Sequence, residues 1–281
     1  MKGLVVKKNA NLFSVEDSLS GKIVELVAQG KTQDDGIYVG DYVEFSDAIL
    51  KVCKRKNLLI RPPMANLDNL FIVIAQTPKP DFLLLDKLIV YCFVNNIKPF
   101  LVVNKMDKND DMFVKTIKNI YNNIVDILFV SAKENKLEDL KNEIKGISAF
   151  AGQSAVGKSS LINSLFNANI TQTGDLSWKI ARGKQTTRMV QLYKFNNGYI
   201  ADTAGFSMLS LDIVTNLEAK ELSLYYPDFS KAREKCKYRT CLHEKNENCG
   251  VIKDVTDNKI SKIRYENYLK LLKELKNKKK Y

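Results

Sequence analysis

Residues 147–166 read ISAFAGQSAVGKSSLINSLF, an apolar run, then a glycine-bracketed loop, then a helical pattern. Gly152–Ser159, GQSAVGKS, fits G-x-x-x-x-G-K-[ST]. It follows the strand-length run Ile147–Ala151 and opens the predicted helix Lys158–Phe166. In that context the backbone N–H groups of the loop point inward at phosphate oxygens, and the helix N-terminus adds partial positive charge. Lys158 is expected to reach the β- and γ-phosphates of a nucleotide, a catalytic role, and the Ser159 hydroxyl to hold Mg²⁺. Gly152, Gln153, Ser154, Ala155, Val156, Gly157 and Ser160 complete the candidate phosphate-binding set. By itself the loop does not separate adenine from guanine nucleotides.

The base is decided upstream. Leu70–Ala75 (LFIVIA), Pro99–Val103 (PFLVV) and Ile127–Val130 (ILFV) read as buried strands, with helices over Phe82–Val94, Phe113–Asn122 and Leu137–Ile144 between and after them. Strands regularly separated by helices imply a mostly parallel sheet covered on both faces. Asn104-Lys105-Met106-Asp107 follows PFLVV directly, so its side chains emerge at a strand's C-terminal end, where open α/β sheets bind ligands. A carboxylate at Asp107 accepts from both the N1–H and the exocyclic amine of guanine. Adenine offers neither donor in that arrangement and leaves the carboxylate unpaired. Asn104 contacts the base edge or ties its loop to the phosphate loop, and the stem of Lys105 covers the ring. Ser131-Ala132-Lys133 follows ILFV and is expected to support the guanine carbonyl through its backbone. Guanine recognition thus precedes the phosphate loop, a circularly permuted order for GTPase motifs.

Downstream, Val190–Phe195 and Tyr199–Ala201 are predicted to form a hairpin around Asn197–Gly198. It ends in Asp202-Thr203-Ala204-Gly205, where Asp202 is expected to hold Mg²⁺ through water and the Gly205 N–H to sense the γ-phosphate. The polar stretch TGDLSWKIARGKQTTR, 173–188, has the length of a functional switch loop. Thr186 or Thr187 supplies the threonine that caps Mg²⁺ and the γ-phosphate. Phe206 stands after Gly205, where many GTPases place the glutamine that orients the attacking water. Hydrolysis is therefore expected to be slow unaided, with Gln185 as the candidate for positioning the water.

Two flanking regions differ in texture. Residues 1–64 hold short alternating runs (Leu4–Val6, Leu12–Val15, Ile23–Val27, Tyr42–Phe45, Asn57–Ile60) punctuated by glycines, which predicts a small all-β barrel that Pro62–Pro63 ends. Residues 213–281 are predicted to be helical at both ends of a cysteine cluster, with Ile260, Ile263, Tyr268, Leu271, Leu272 and Leu275 on one helical face. Cys236, Cys241, His243 and Cys249 offer three thiolates and the chain's one histidine, a closed tetrahedral zinc set with no open position for hydrolysis. Cys53 and Cys92 are expected to be small buried hydrophobes. Lys and Arg outnumber Asp and Glu by 10 to 8 in residues 1–64, by 17 to 14 in 65–212 and by 17 to 10 in 213–281, which puts most of the basic excess beside the metal set. That distribution implies a polyanionic partner there, with Lys235, Lys237, Arg239 and Lys245 suited to RNA phosphates. No apolar run approaches the roughly 20 residues that span a bilayer, and Lys7 and Lys8 interrupt any signal-peptide core. A cytoplasmic protein with no membrane partner is expected.

The order NKMD, SAK, GQSAVGKS, QTT, DTAG, joined to an N-terminal barrel and a C-x₄-C-x-H-x₅-C cluster, resembles the circularly permuted, ribosome-dependent small GTPases of the RsgA (YjeQ) type over nearly the whole chain. The resemblance implies three parts: an oligonucleotide-binding (OB)-like RNA-binding barrel over 1–64, a circularly permuted α/β P-loop GTPase domain over 65–212, and a mostly helical zinc-binding domain over 213–281. It further implies a monomer that binds GTP or GDP with Mg²⁺ and one structural zinc. Such a protein binds the small ribosomal subunit and its rRNA, hydrolyses GTP faster there, and helps release assembly factors late in subunit maturation. Two positions depart from the family pattern. Gln185 stands where histidine is usual, and Ala155 stands where glycine is common, which is tolerated if the backbone there keeps a negative φ. Because the γ-phosphate sensor runs directly into residues 213–281, nucleotide state is expected to reorient them. A plain RNA-binding protein with a decayed nucleotide site conflicts with intact Asp107, Lys158, Ser159 and Asp202. A permuted GTPase acting on the large subunit or on tRNA fits the barrel and the zinc set less well.

Overall fold

A computed structural model describes residues 1–29, 36–173, 190–202, 216–245 and 248–277, with backbone alone over 167–173. The first five strands are β1 (Lys2–Asn9), β2 (Leu12–Asp17), β3 (Ile23–Val27), β4 (Tyr42–Phe45) and β5 (Ile49–Val52). Their alternating apolar residues Val5, Phe13, Val15, Leu26, Val43, Phe45 and Ile49 turn inward to one core. β1 pairs antiparallel with both β2 and β4, β2 with β3, and β4 with β5. A parallel bridge from Ala28 to Ile49 closes the ring, giving the five-stranded Greek-key barrel of an OB-like fold. Pro62–Pro63 does not end the strands as expected. Leu58–Ile60 (β6) and Pro63–Ala65 (β7) form a hairpin with Ile60 opposite Pro63. As first residue of a strand in a two-stranded ribbon, Pro63 removes no ladder bond that a second neighbour needs. Cys92 is buried, whereas Cys53, next to the end of β5, is only half-buried.

The central layer contains β8 (Asn69–Ile74), α1 (Phe82–Val94), β9 (Lys98–Val103), α2 (Asp111–Tyr121), β10 (Asp126–Phe129), α3 (Glu138–Glu143), β11 (Gly146–Ala151), α4 (Lys158–Thr173), β12 (Gln191–Phe195) and β13 (Gly198–Asp202). The strand order is β10-β9-β8-β11-β13-β12, parallel except for β12. All of β8 is buried. Leu70, Ile72 and Ile74 face the α1 and α2 side while Phe71 and Val73 face α3 and α4, so the period of two delivers apolar side chains to two covered faces. Phe71 stacks on Phe100 and Phe150 at 5.0 and 5.2 Å, tying three adjacent strands. The hairpin turn is Asn196–Asn197, one residue earlier than expected, because Phe195 pairs with Gly198 and Asn196 takes the positive φ. At its outer edge β12 meets β1 through Lys7 and Gln191, so barrel and central sheet are one continuous sheet.

The C-terminal helix, Lys262–Lys276, lays Tyr268, Leu271, Leu272 and Leu275 on the core, but its stripe begins with Arg264 and Asn267. Ile263 is half-buried and Ile260 lies before the helix, so the expected face is rotated slightly. Asp86 interrupts the apolar run of α1 and is fully buried. Arg264 donates to Asp86, and to both oxygens of Asp228 at 2.9 Å, while Asn267 donates to Asp86 at 2.8 Å. The guanidinium also lies 4.7 Å from the Tyr226 ring centroid. Lys87 and Glu274 add a second α1 link at 2.9 Å. Burial pushes the Asp86 carboxyl up to about 6 against the pull of Arg264. Chemical denaturation of Arg264→Met is expected to show a loss of about 3–5 kcal/mol, because Asp86 is left buried and unpaired, with most of it recovered in Asp86→Leu/Arg264→Met.

Candidate nucleotide and metal sites

The C-terminal ends of β8, β9, β11 and β13 converge on one edge of the central sheet. β11 runs out into Gly152, whose φ of 127° and close approach to the Val73 carbonyl admit no side chain. Gly157, at φ 98°, faces the Asn104 side-chain amide, so one motif glycine is required by a backbone carbonyl and the other by a side chain, each at a φ that favours glycine. Val156 is buried, while Ser154, Ala155, Ser159 and Ser160 are exposed around the loop and the first turn of α4. Lys158 Nζ donates to the carbonyls of Gly152 and Gln153 at 2.7 and 2.5 Å, which suspends the ammonium inside the loop. Burial draws its pKa down.

The NKMD side chains assemble this edge. Asn104 is buried; its Nδ2 donates to the Val156 carbonyl at 2.9 Å and its Oδ1 accepts from the Ala132 N–H at 3.3 Å. Of the two sequence readings, this geometry favours the tie between loops. Lys105, at φ 62°, donates from Nζ to the Thr77 and Ala155 carbonyls, each at 2.8 Å. The Met106 N–H donates to the Val130 carbonyl, which fixes the loop on the ILFV strand. Asp107 accepts from the Ser131 hydroxyl at 2.8 Å and lies 3.8 Å from Lys133 Nζ. The Ser131 hydrogen bond holds the Asp107 carboxyl below the usual range, so it is charged at neutral pH. SAK is thus joined to NKMD by side chains as well as by position. Asp202 ends β13, and the Ala149–Ala201 register of β11 and β13 puts it beside the strand that carries the phosphate loop. A serine hydroxyl on the first turn of α4 and a half-buried carboxylate on the neighbouring strand end are oxygen donors that suit Mg²⁺. Gln185, Thr186, Thr187 and Gly205 lie outside the described residues.

Sequence reading missed three supports. The segment Gln76–Asp81 lies against the phosphate loop: the Asp81 N–H donates to Gln153 Oε1 at 2.9 Å, and Gln153 Nε2 donates to the Lys79 carbonyl at 3.3 Å. Asp81 also caps α1, so the phosphate loop touches that helix's first turn. Asn109 donates to the Asn104 carbonyl and accepts from the Gln76 N–H, and Ser164 donates to the Ala132 carbonyl. The signal available was positional: QTPKPD follows a buried strand, LFIVIA, at the same sheet edge as NKMD.

In the C-terminal unit the ligand atoms of Cys236, Cys241, His243 and Cys249 all lie within 4.8 Å of one another. His243 Nδ1 is 3.3 Å from Cys249 Sγ and 3.6 Å from Cys236 Sγ, and the two sulfurs are 3.8 Å apart. Tetrahedral bonds of ~2.3 Å to sulfur and ~2.0 Å to nitrogen require ligand separations of about 3.5–3.8 Å, so Cys236, His243 and Cys249 stand near the spacing for one zinc, with Cys241 inside 4.8 Å as the fourth donor. Burial holds the imidazole neutral, with its pKa down to about 4, and pushes the Cys249 thiol up to about 12. A neutral nitrogen is the ligand form, and paired thiolates in such a place need a cation. The Tyr265 and Tyr268 hydroxyls donate to the His243 and Leu242 carbonyls at 2.8 and 2.9 Å, fastening the loop to the C-terminal helix.

The RsgA GTPase family model matches residues 52–212, from the last barrel strand through the phosphate-sensor motif. The chain belongs to that family. A second model, 50S ribosome-binding GTPase, matches 147–280, which begins at the phosphate-loop strand. The chain is 38% identical to the small ribosomal subunit biogenesis GTPase RsgA of Geobacillus sp. (strain WCH70), over 99% of this chain and 98% of that one. It is 36% identical to the RsgA of Clostridium novyi (strain NT), over 98% and 97%. Among solved structures, YjeQ from Thermotoga maritima superposes with TM-score 0.84 at 34% identity, covering 99% of both chains. YloQ, a circularly permuted GTPase, superposes with TM-score 0.81 at 30% identity, covering 100% of this chain and 96% of that one. This RsgA-family chain is therefore a GTP hydrolase with permuted motifs. Among the described residues no helix is long and apolar enough to cross a membrane.

One departure from the RsgA pattern acquires a physical cost here. Ala155 sits at φ 63°, not at the negative φ under which alanine is tolerated. The left-handed region costs a non-glycine residue roughly 1–2 kcal/mol. Ala155→Gly is expected to keep or modestly raise GDP affinity, and Ala155→Val to lower it by about tenfold or more, since β-branching makes that region worse. Equilibrium titration with a fluorescent GDP analogue reads both.

Proposed function

We propose that this chain binds the small ribosomal subunit and its rRNA, hydrolyses GTP there, and assists a late step of subunit maturation that ends with release of assembly factors. The observation that carries this reading is end-to-end similarity to proteins named for small ribosomal subunit biogenesis, at 98–99% coverage of this chain. Barrel, GTPase site and Cys/His unit therefore come as one set. Asp107 reads guanine, with Asn104, Lys105, Met106, Ser131, Ala132 and Lys133 shaping the base site. Gly152–Ser160 wraps the phosphates and Lys158 carries their developing charge. Mg²⁺, held by Ser159 and Asp202 with Thr186 or Thr187, would neutralise charge between the β- and γ-phosphates. Gln185 positions the attacking water, and Gly205 senses the γ-phosphate. One zinc fixes the C-terminal unit and takes no part in hydrolysis, since four protein ligands leave no open position.

Two contacts support a route by which nucleotide state would reach that unit. Gln153 touches Asp81 at the start of α1, and α1 holds the C-terminal helix through Asp86 and Arg264. The C-terminal unit then moves with α1 and not as a free body, because separating them strands a buried ion pair. GTP turnover with purified small subunits, large subunits or neither tests the assignment. Stimulation by small subunits alone is expected; stimulation by large subunits alone overturns it.

A further inference from the structure

Lys237, Tyr238, Arg239 and Thr240 form an exposed loop between the first two metal-set cysteines. Its backbone is held on both sides: the Cys236 N–H donates to the Arg233 carbonyl at 3.1 Å, Lys237 N–H to Asn248 at 3.3 Å, and Cys241 N–H to Tyr238 at 3.2 Å. The loop is thus fixed while the Tyr238 side chain stands 50% exposed. The local charge is uneven. Lys235 is engaged by Asp254 at 3.0 Å and Glu244 by Lys276 at 2.6 Å. Lys237 and Arg239 make no ion pair among the described residues, and Lys237 Nζ lies 5.5 Å from the Tyr238 ring centroid. Residues 231–245 carry six Lys and Arg against two Glu. An outward aromatic ring on a fixed loop, flanked by two cations that make no ion pair among the described residues, is the arrangement that stacks a base and neutralises its adjoining phosphates. An acidic protein surface would use the cations and leave the ring without a role.

We infer that Tyr238 is a stacking site for one unpaired RNA nucleobase, with Lys237 and Arg239 on the flanking phosphates. The inference rests on the rRNA-facing reading above and names the contact within it. The test measures binding of the full chain to purified small subunits as salt is varied. Tyr238→Ala is expected to weaken binding roughly 5- to 150-fold with an unchanged salt slope, because stacking releases no counterions. Tyr238→Trp should bind as well as the parent. Lys237→Ala and Arg239→Ala should each lower the slope by about 0.7, the single-strand value. Zinc content of one per chain in every variant shows that the unit is folded. If the parent binds small subunits and Tyr238→Ala binds equally well, the inference fails alone. Loss of binding in Tyr238→Trp as severe as in Tyr238→Ala, or ultraviolet crosslinking of this loop to a ribosomal protein and not to rRNA, also overturns it. If the parent does not bind small subunits, the broader reading falls and takes this one with it.

Discussion

Asp107→Asn is expected to exchange a preference for GTP for one for XTP, changing the ratio of the two affinities by roughly 10⁴-fold or more. The ionised Asp107 side chain is acceptor-only and is kept charged by the Ser131 hydroxyl. Guanine offers two parallel donors to such a group, and xanthine replaces one of them by a carbonyl. Asparagine presents one acceptor and one donor, so it pairs with xanthine and sets an N–H against the guanine amine. The effect is large because the mismatch leaves polar groups unpaired in a site built to bond them. Competition of GTP and XTP for a fluorescent GDP analogue measures it. Unchanged preference for GTP would remove Asp107 from the base site.

Loss of zinc is expected to have a comparable structural effect. Cys249→Ala, or prolonged chelation of the parent, should take zinc from one per chain to none and abolish hydrogen-exchange protection across 234–245 and 248–256. Structural zinc in small finger peptides is worth about 10–16 kcal/mol near neutral pH, as much as the whole stability of an ordinary domain. Besides the metal, the loop is held by the Tyr265 and Tyr268 hydroxyls, while His243 is at φ 57° and the Ser230–Arg233 and Gly250–Thr256 helices have only 4 and 7 residues. The distal half of Lys262–Lys276 should keep its protection, because Leu271, Leu272 and Leu275 pack on the core that also contains α1. Protection that survives complete metal removal would show that the ligands are not structural.

The nucleotide site was legible because its signals are local. Each motif is a few consecutive residues at a strand end, and the buried runs that place it are read directly from hydrophobic period. The joins were not legible. Asp86 looks like an imperfection in an apolar helix until Arg264 is beside it, and 178 residues separate the two. Gln153 reads as a variable loop position, yet its amide spans to Lys79 and Asp81, more than 70 residues earlier. Pro62–Pro63 reads as a break because proline is excluded from central ladders, yet a proline is permitted at the start of a strand in a ribbon. Ala155 shows the reverse: its residue type argues for negative φ, and the closure of the loop around Lys158 overrides that preference.

The nucleotide site and the C-terminal unit are expected to respond together through α1. Hydrogen exchange of Phe82–Val94 and Lys262–Lys276 tests this coupling most directly, with a GTP analogue and with GDP, on and off small subunits. Protection in the two helices is predicted to change in parallel with nucleotide, and the parallel should be lost in Arg264→Met. Identical exchange in both nucleotide states, on and off the subunit, would contradict the claim.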